Sequence, residues 1–372
     1  MRFEAIVIGA GPGGATAARL LAAGGRRVAL VEKDSFPRRK VCGEFLSTPS
    51  HAVLDECGVG AAFRERAGPV VRRIGMFSGD SVVTAPQEKD WGRALGREHL
   101  DTMLRDAAAA AGAVLFQPAE LTTLTRGGGD YLCRLKADGV ESEIAAPIVI
   151  AATGSWRSKP PLAVTAPERP SDLLAFKAHF TGGALAPGLM PLLAFPGGYG
   201  GLVMSDGSRL SLSCCIRRDT LTEIRKPGER AGEAMLRHLG ATTRGIGAAL
   251  EGAALADTML AAGPLRPGIR PRFDGGVFFT GNLAGEAHPV IAEGISMAIQ
   301  ASGLLARLLL EQGAAAGPAY AAGWLKAFGP RLWAAGLFAR TASHARRPAA
   351  ALVKAAPSLL TWGAALSGKG TE

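Results

Sequence analysis

The stretch Ala5-Ile6-Val7-Ile8-Gly9-Ala10-Gly11-Pro12-Gly13-Gly14, followed by the run to Glu32, decides the fold. Ala5-Ile6-Val7-Ile8 has the length and β-branched content of a buried strand. Gly9, Gly11 and Gly14 then fall in the G-x-G-x-x-G register. Ala15 to Ala23 is rich in Ala and Leu and reads as a helix closed by Gly24-Gly25. A second apolar run, Arg27 to Val31, reads as a strand that stops at Glu32. Each part has a physical task. Gly9 permits a tight turn, Gly11 lets the backbone approach a pyrophosphate, and Gly14 lets helix and strand pack closely. The helix start offers N–H groups and the positive end of a dipole to phosphates. Glu32, about 20 residues beyond the glycines, can accept hydrogen bonds from a ribose. A glycine motif alone is weak. Set between two strands, with a helix and a terminal acid, it predicts a dinucleotide site. Glu32 would repel a 2′-phosphate, so FAD or NAD fits better than NADP.

Working outward, the 372 residues suffice for one large or two medium domains, and 48% hydrophobic with 20% charged residues is ordinary for a globular chain. The net charge of +10 suits anionic cofactors, or an anionic surface such as a membrane or an acyl carrier. Lys and Arg are scattered and aromatic residues are only 6%, so no nucleic-acid partner is expected. Cys42, Cys57, Cys133, Cys214 and Cys215 are odd in number and form no C-x-x-C, so neither disulfides nor a metal site is expected. A cytoplasmic setting follows, with contact to the inner face of a membrane as a further expectation. The first strand starts so early that no leader is expected, and no apolar run reaches the length of a transmembrane segment.

Further along, Phe36 to Ser47 is a basic loop, and Pro49 opens a short helix. Arg72–Phe77 and Ser81–Ala85 read as a strand pair, and Arg97–Ala111 as a helix. Strands are predicted near 114–116, 121–124, 131–135, 142–145 and 148–152. Pro160 to Pro170 is a proline-rich linker. Beyond it, Leu174, Phe176, Ala178 and Phe180 share one face, as do Leu210, Leu212, Cys214 and Ile216, which suggests an antiparallel sheet with one covered side. Phe195 to Gly201 is a glycine-loaded hairpin between them. A second strand–turn–helix unit follows, Gly276–Thr280, Gly281–Gly285 and the helix after Glu293. Trp324–Arg340, kinked or restarted at Pro330, and Ala349–Leu366 read as C-terminal helices, with Trp333, Phe338 and Trp362 in their core or, beside Arg331, Arg340, Arg346, Arg347 and Lys354, on a membrane-facing side.

Four separated pieces in order resemble the superfamily of FAD-dependent monooxygenases and geranylgeranyl reductases, with its para-hydroxybenzoate hydroxylase-like fold. They are the Gly9–Glu32 unit, the Arg38–Gly43 loop, Arg97 opening its helix, and Gly281–Ile295. The resemblance implies an α/β fold: a Rossmann-type FAD-binding domain (1–70, 95–158 and 262–312), an inserted antiparallel-sheet substrate domain (71–94 and 159–261) and C-terminal helices (313–372). It implies that Gly9, Gly11, Gly14 and Ala15 hold the FAD pyrophosphate, and that Glu32, with Lys33 beside it, meets the adenosine ribose. Arg97 would reach the pyrophosphate or ribityl region and Leu121 the adenine. Cys42 and Gly43 would flank the isoalloxazine ring, Asn282 would bind a ribityl hydroxyl, and Gly294 and Ile295 would present N–H groups to the pyrimidine. Gly154 stands in the family's Asp-Gly position as Thr153-Gly154. Gly154 to Pro160 also approaches a halogenase signature.

Cys42 and His288 are the candidate catalytic residues, while Cys42 can equally pack against the flavin. Arg38, Arg39 and Lys40 are placed to lower the Cys42 pKa. Glu44 reads as a surface salt-bridge residue. Phe195 and Tyr199, with the strands around them, are expected to wall a pocket for a hydrophobic small molecule. The leading function is a monooxygenase that hydroxylates a hydrophobic or aromatic metabolite through a flavin C4a-hydroperoxide, with NAD(P)H or another reductant as electron donor and no dinucleotide domain for it. The alternative is a reductase of isoprenoid C=C bonds. A further alternative is a halogenase-like or cofactor-maturation flavoprotein.

Overall fold

A computed structural model describes residues 1–85, 88–154, 167–344 and 346–368. The halogenase-like stretch after Gly154 lies outside the described residues.

The first sheet forms where the sequence is most continuously apolar. Ala5–Ile8 lies at its centre, paired in parallel with Val28–Val31 and Ile148–Ala151, and all three strands are fully buried. Val114–Phe116 extends one edge, Val277–Phe279 the other, and short Phe273–Asp274 adds an antiparallel rim. On one face pack the glycine-turn helix Pro12–Ala23 and the long helix Gly294–Gln312, through Ala17, Ala18, Leu21, Ala301 and Leu305. Their small residues allow close approach. On the other face lies a three-stranded antiparallel sheet, Glu120–Gly127, Asp130–Ala137 and Val140–Ala146, which meets Ile6, Ile8 and Val31 with Tyr131, Cys133 and Ile144. Burial of each large aliphatic side chain contributes roughly 1.5–3 kcal/mol, so these layers hold the cofactor end rigidly.

The second sheet runs Ala254–Leu255, Leu173–Thr181, Leu210–Arg217, Gly198–Met204, Leu189–Phe195, Arg73–Ser78 and Ser81–Thr84, with Leu260–Leu265 also on Leu173–Thr181. It is antiparallel except where Leu189–Phe195 pairs in parallel with Arg73–Ser78, because that last strand enters from a distant part of the chain. Helices Arg218–Ile224, Ala231–Thr242 and Arg244–Ala249 lie over one face, against Phe176, Phe180, Leu212 and Ile216. The covered side is therefore the one expected from the alternation.

Three C-terminal expectations need correction. The helix expected over Trp324–Arg340 runs from Gly317 to His344 with Pro330 inside it. Trp324, Phe328, Leu332 and Ala335 form a buried stripe that outweighs the hydrogen bond lost at the proline. The expected Ala349–Leu366 helix is two, Arg346–Ala355 and Ser358–Leu366, parted at Pro357, which cannot donate to the preceding turn. Trp333 and Trp362 are not core residues: they are 68% and 70% exposed. The side chain of Phe338 lies outside the described residues. No helix among the described residues is long and apolar enough to cross a membrane.

Candidate functional site

The strand-to-helix turn opens onto a long cleft. Gly9 sits at φ +104 and donates its N–H to Val31, which closes the turn at the sheet edge. A Cβ on Gly14 would overlap the Gly9 carbonyl oxygen, so this glycine brings helix and strand together and faces away from the cleft. A Cβ on Gly11 would instead point into the cleft, 3.7 Å from Arg97 Nη2. Gly43, Gly154 and Gly294 have nothing within 4 Å of where a Cβ would stand. The backbone thus forms an open cradle at the start of two helices, which suits a dinucleotide pyrophosphate.

Glu32 lies in this cleft at 4% exposure. Its carboxylate accepts the N–H of Ala10 at 2.9 Å and of Asp34 at 2.8 Å, and it pairs with Arg38 at 3.0 Å. Lys33, Leu121, Gly154 and Asn282 line the same cleft. Ala15 is buried within its helix, behind the cleft surface. Arg97 is held by Asp101, four residues on, through bonds of 2.6 and 2.7 Å. Burial works against the Arg97 charge, but Asp101 and the Cys42 sulfur hold its pKa above the usual value. Asp101 was not singled out in the sequence, although its i, i+4 spacing from Arg97 gives a usable signal.

A second cavity adjoins the cleft. Phe45, Met190, Leu192, Val203 and Leu265 supply apolar wall, and Gly201 leaves the wall open. Val41, Cys42, Asn282, Gly294 and Ile295 line both spaces, so the two adjoin along a shared wall that includes Cys42. Gly43 lines the second cavity. The basic side chains of the Cys42 loop itself, Arg38, Arg39 and Lys40, pair with carboxylates. Arg38 takes Glu32 and Asp34, and Lys40 takes Asp34 at 3.0 Å. Burial opposes charge on Asp34, but Lys40 and Arg38 outweigh it and hold its pKa at about 2.

Glu44 corrects the sequence reading most sharply. It is 1% exposed, at φ +62, and lines the second cavity. Its carboxylate meets Lys177 Nζ at 2.7 Å and His179 Nε2 at 2.8 Å, and Lys177 also donates to Ser211 Oγ. Burial alone would raise the Glu44 pKa; the Lys177 charge and the His179 contact instead hold it well below the usual carboxylate range. Lys177 and His179 alternate with Phe176, Ala178 and Phe180, so charged residues on the inner face were the available signal.

Phe195 does not wall this cavity. It is 2% exposed among the residues under the covering helices, edge-on to His238, because its position in the alternation points to that face. Tyr199 does not line the cavity either: it is buried beside Ala175, Cys215 and Leu265, and its hydroxyl shares a 2.8 Å hydrogen bond with His288 Nδ1. Burial lowers the His288 pKa to about 4 and keeps the ring neutral near pH 7. Ala287 and Pro289 line the cavity while the His288 ring turns to Tyr199. Cys214 packs toward the helices and Cys215 lines the cavity, and burial raises both thiol pKa values.

Comparison with known proteins agrees with this geometry. A family model described as an FAD binding domain matches residues 2–179. Residues 2–179 are therefore similar to an FAD binding domain, and the chain is an FAD-dependent oxidoreductase. Among curated relatives, a menaquinone reductase of Mycobacterium tuberculosis is 30% identical over 37% of this chain. A digeranylgeranylglycerophospholipid reductase 1 of Methanothermobacter thermautotrophicus is 32% identical over 41% of it. The matched segments span only 35% and 38% of those relatives. A myxobacterial chondrochloren halogenase superposes with a TM-score of 0.77 at 22% identity, over 88% of this flavoprotein and 80% of that chain. That likeness shows a shared fold.

Proposed function

We propose that this flavoprotein is a reductase that saturates a carbon–carbon double bond of a hydrophobic, isoprenoid-bearing molecule. The observation that carries the reading is the shared wall, Cys42 included, between the cofactor cleft and a cavity whose lining is largely apolar apart from the carboxylates Glu44, Glu286 and Glu293. Support comes from the two curated relatives, named as reductases of a menaquinone and of a digeranylgeranyl lipid.

In this reading Gly9, Gly11 and the start of the Pro12–Ala23 helix hold the FAD pyrophosphate, with Glu32 and Lys33 at the ribose and Leu121 at the adenine. Asn282, Gly294 and Ile295 take the ribityl and pyrimidine end, where the positive helix terminus favours negative charge. FAD, once reduced by NAD(P)H or another donor, supplies the hydride. The chain's own part is the proton and the orientation. Cys42 would donate its proton to the alkene carbon that does not receive the hydride; two C–H bonds would form, at the cost of the π bond, the S–H bond and the N–H bond that supplied the hydride. Arg97 beside the sulfur stabilises the thiolate left behind, and solvent returns its proton. The apolar walls exclude water from the double bond and bind the chain by area.

The test is anaerobic. Protein reduced with dithionite should regain oxidised-flavin absorbance when geranylgeraniol is added, and not with its saturated counterpart. Cys42→Ser should slow that recovery by roughly 10²- to 10⁴-fold at unchanged FAD content. Reduced protein that ignores every unsaturated isoprenoid offered would overturn the reading.

A further inference from the structure

The C-terminal helix Ser358–Leu366 is apolar on both sides. Its inner side buries Leu360 against Met76 and Val83, and Ala364 against Phe45, Met190 and Val203. Phe45, Met190 and Val203 are wall residues of the second cavity, so this helix backs that wall. Its outer side exposes Leu359, Trp362 and Leu366 at 40%, 70% and 67%. Their spacing of three and four residues puts them in one stripe. Leu352 and Trp333, on the two preceding helices, are 60% and 68% exposed. A helix that is hydrophobic all round is normally covered on all sides, and large exposed apolar residues in one region mark an interaction surface.

The charge around the stripe selects the partner. Between Glu311 and Glu372 the chain has no Asp or Glu, but carries Lys326, Arg331, Arg340, Arg346, Arg347, Lys354 and Lys369. An acid-free basic segment around exposed Trp and Leu is complementary to negative headgroups over hydrocarbon. A protein partner offering an apolar groove would explain the stripe but would not require that one-sided charge.

We infer that the outer face of the C-terminal helices docks on the surface of an anionic lipid bilayer. Trp362, Leu359 and Leu366 enter the headgroup boundary, and the net positive charge of the acid-free segment attracts the negative lipids. The docked helix is the one that backs the apolar cavity, so a lipid-borne substrate would be met beside its binding site. Docking stands apart from the reaction proposed above, and its test uses no substrate.

The experiment is co-sedimentation of the FAD-loaded full chain with vesicles of phosphatidylcholine, alone or mixed with phosphatidylglycerol. The protein should pellet with the mixed vesicles, less as salt is raised, and far less with the neutral ones. Leu359→Ser/Trp362→Ser/Leu366→Ser should lower partitioning roughly tenfold or more, with flavin content and melting temperature unchanged. Brominated phosphatidylglycerol should quench wild-type tryptophan fluorescence, because Trp333 and Trp362 are exposed while Trp91 and Trp324 are buried. The inference fails if the protein stays in the supernatant, if neutral and anionic vesicles pellet it equally, or if the triple variant pellets like wild type. It also fails if the stripe instead forms a dimer that the triple variant dissolves.

Discussion

A carboxylate as buried as Glu44 persists only while its partners do. Lys177 and His179, each 1% exposed, meet the same oxygen, so removing one member leaves another charge in a dry site. Glu44→Gln should destabilise the protein by about 3–5 kcal/mol. Lys177→Met should cost a similar amount for the mirror reason. The double variant should cost clearly less than the two together, since it removes both charges. Chemical denaturation of the four proteins measures this, and strict additivity would show that the pair is not coupled. The cluster was illegible from the local sequence because its members lie 133 and 135 residues apart, as the Glu44–Lys177 and Glu44–His179 spacings show. Arg38 shows the same limit. Its neighbours in sequence pointed to Cys42, whereas its partners in space are Glu32 and Asp34.

At the scale of elements, the Ala5–Val31 unit was legible element by element, with the helix starting at Pro12, three residues before the expected Ala15. Its strand, turn, helix and strand are each set by contacts within about 20 residues, the range over which glycine placement and apolar runs speak directly. The second and third glycines of the motif nevertheless fail in different ways. Gly11→Val should fold normally and lose FAD, because its side chain enters open cleft. Gly14→Val should fail to fold, or melt far below wild type, because its side chain meets the Gly9 carbonyl within the turn. Circular dichroism with flavin absorbance separates the two. A folded Gly11→Val protein that keeps its FAD would contradict the placement of the pyrophosphate. The C-terminal helices were less legible. Whether Pro330 breaks its helix depends on the buried stripe from Trp324 to Ala335, a tertiary term that proline rules do not contain.

At the scale of the molecule, function rests on where two sheets built from distant segments meet. Sequence alternation correctly gave the helix-covered face of the second sheet but misassigned Phe195 to the cavity, because which face meets the cofactor cleft is settled by packing. The cleft and the apolar cavity share Cys42, Asn282, Gly294 and Ile295, residues from two stretches far apart in the chain. That junction is the central claim: a reduced cofactor on one side, a double bond on the other and a thiol proton between them. The most direct measurement is the mass of the product formed from an unsaturated isoprenoid by the FAD-loaded enzyme, reduced with dithionite, in oxygen-free heavy water. The account predicts a product heavier by two hydrogens' worth of added atoms, at least one of them deuterium from the exchanged thiol, with no need for oxygen. A product that appears only when oxygen is admitted, and that carries one added oxygen atom, would contradict it.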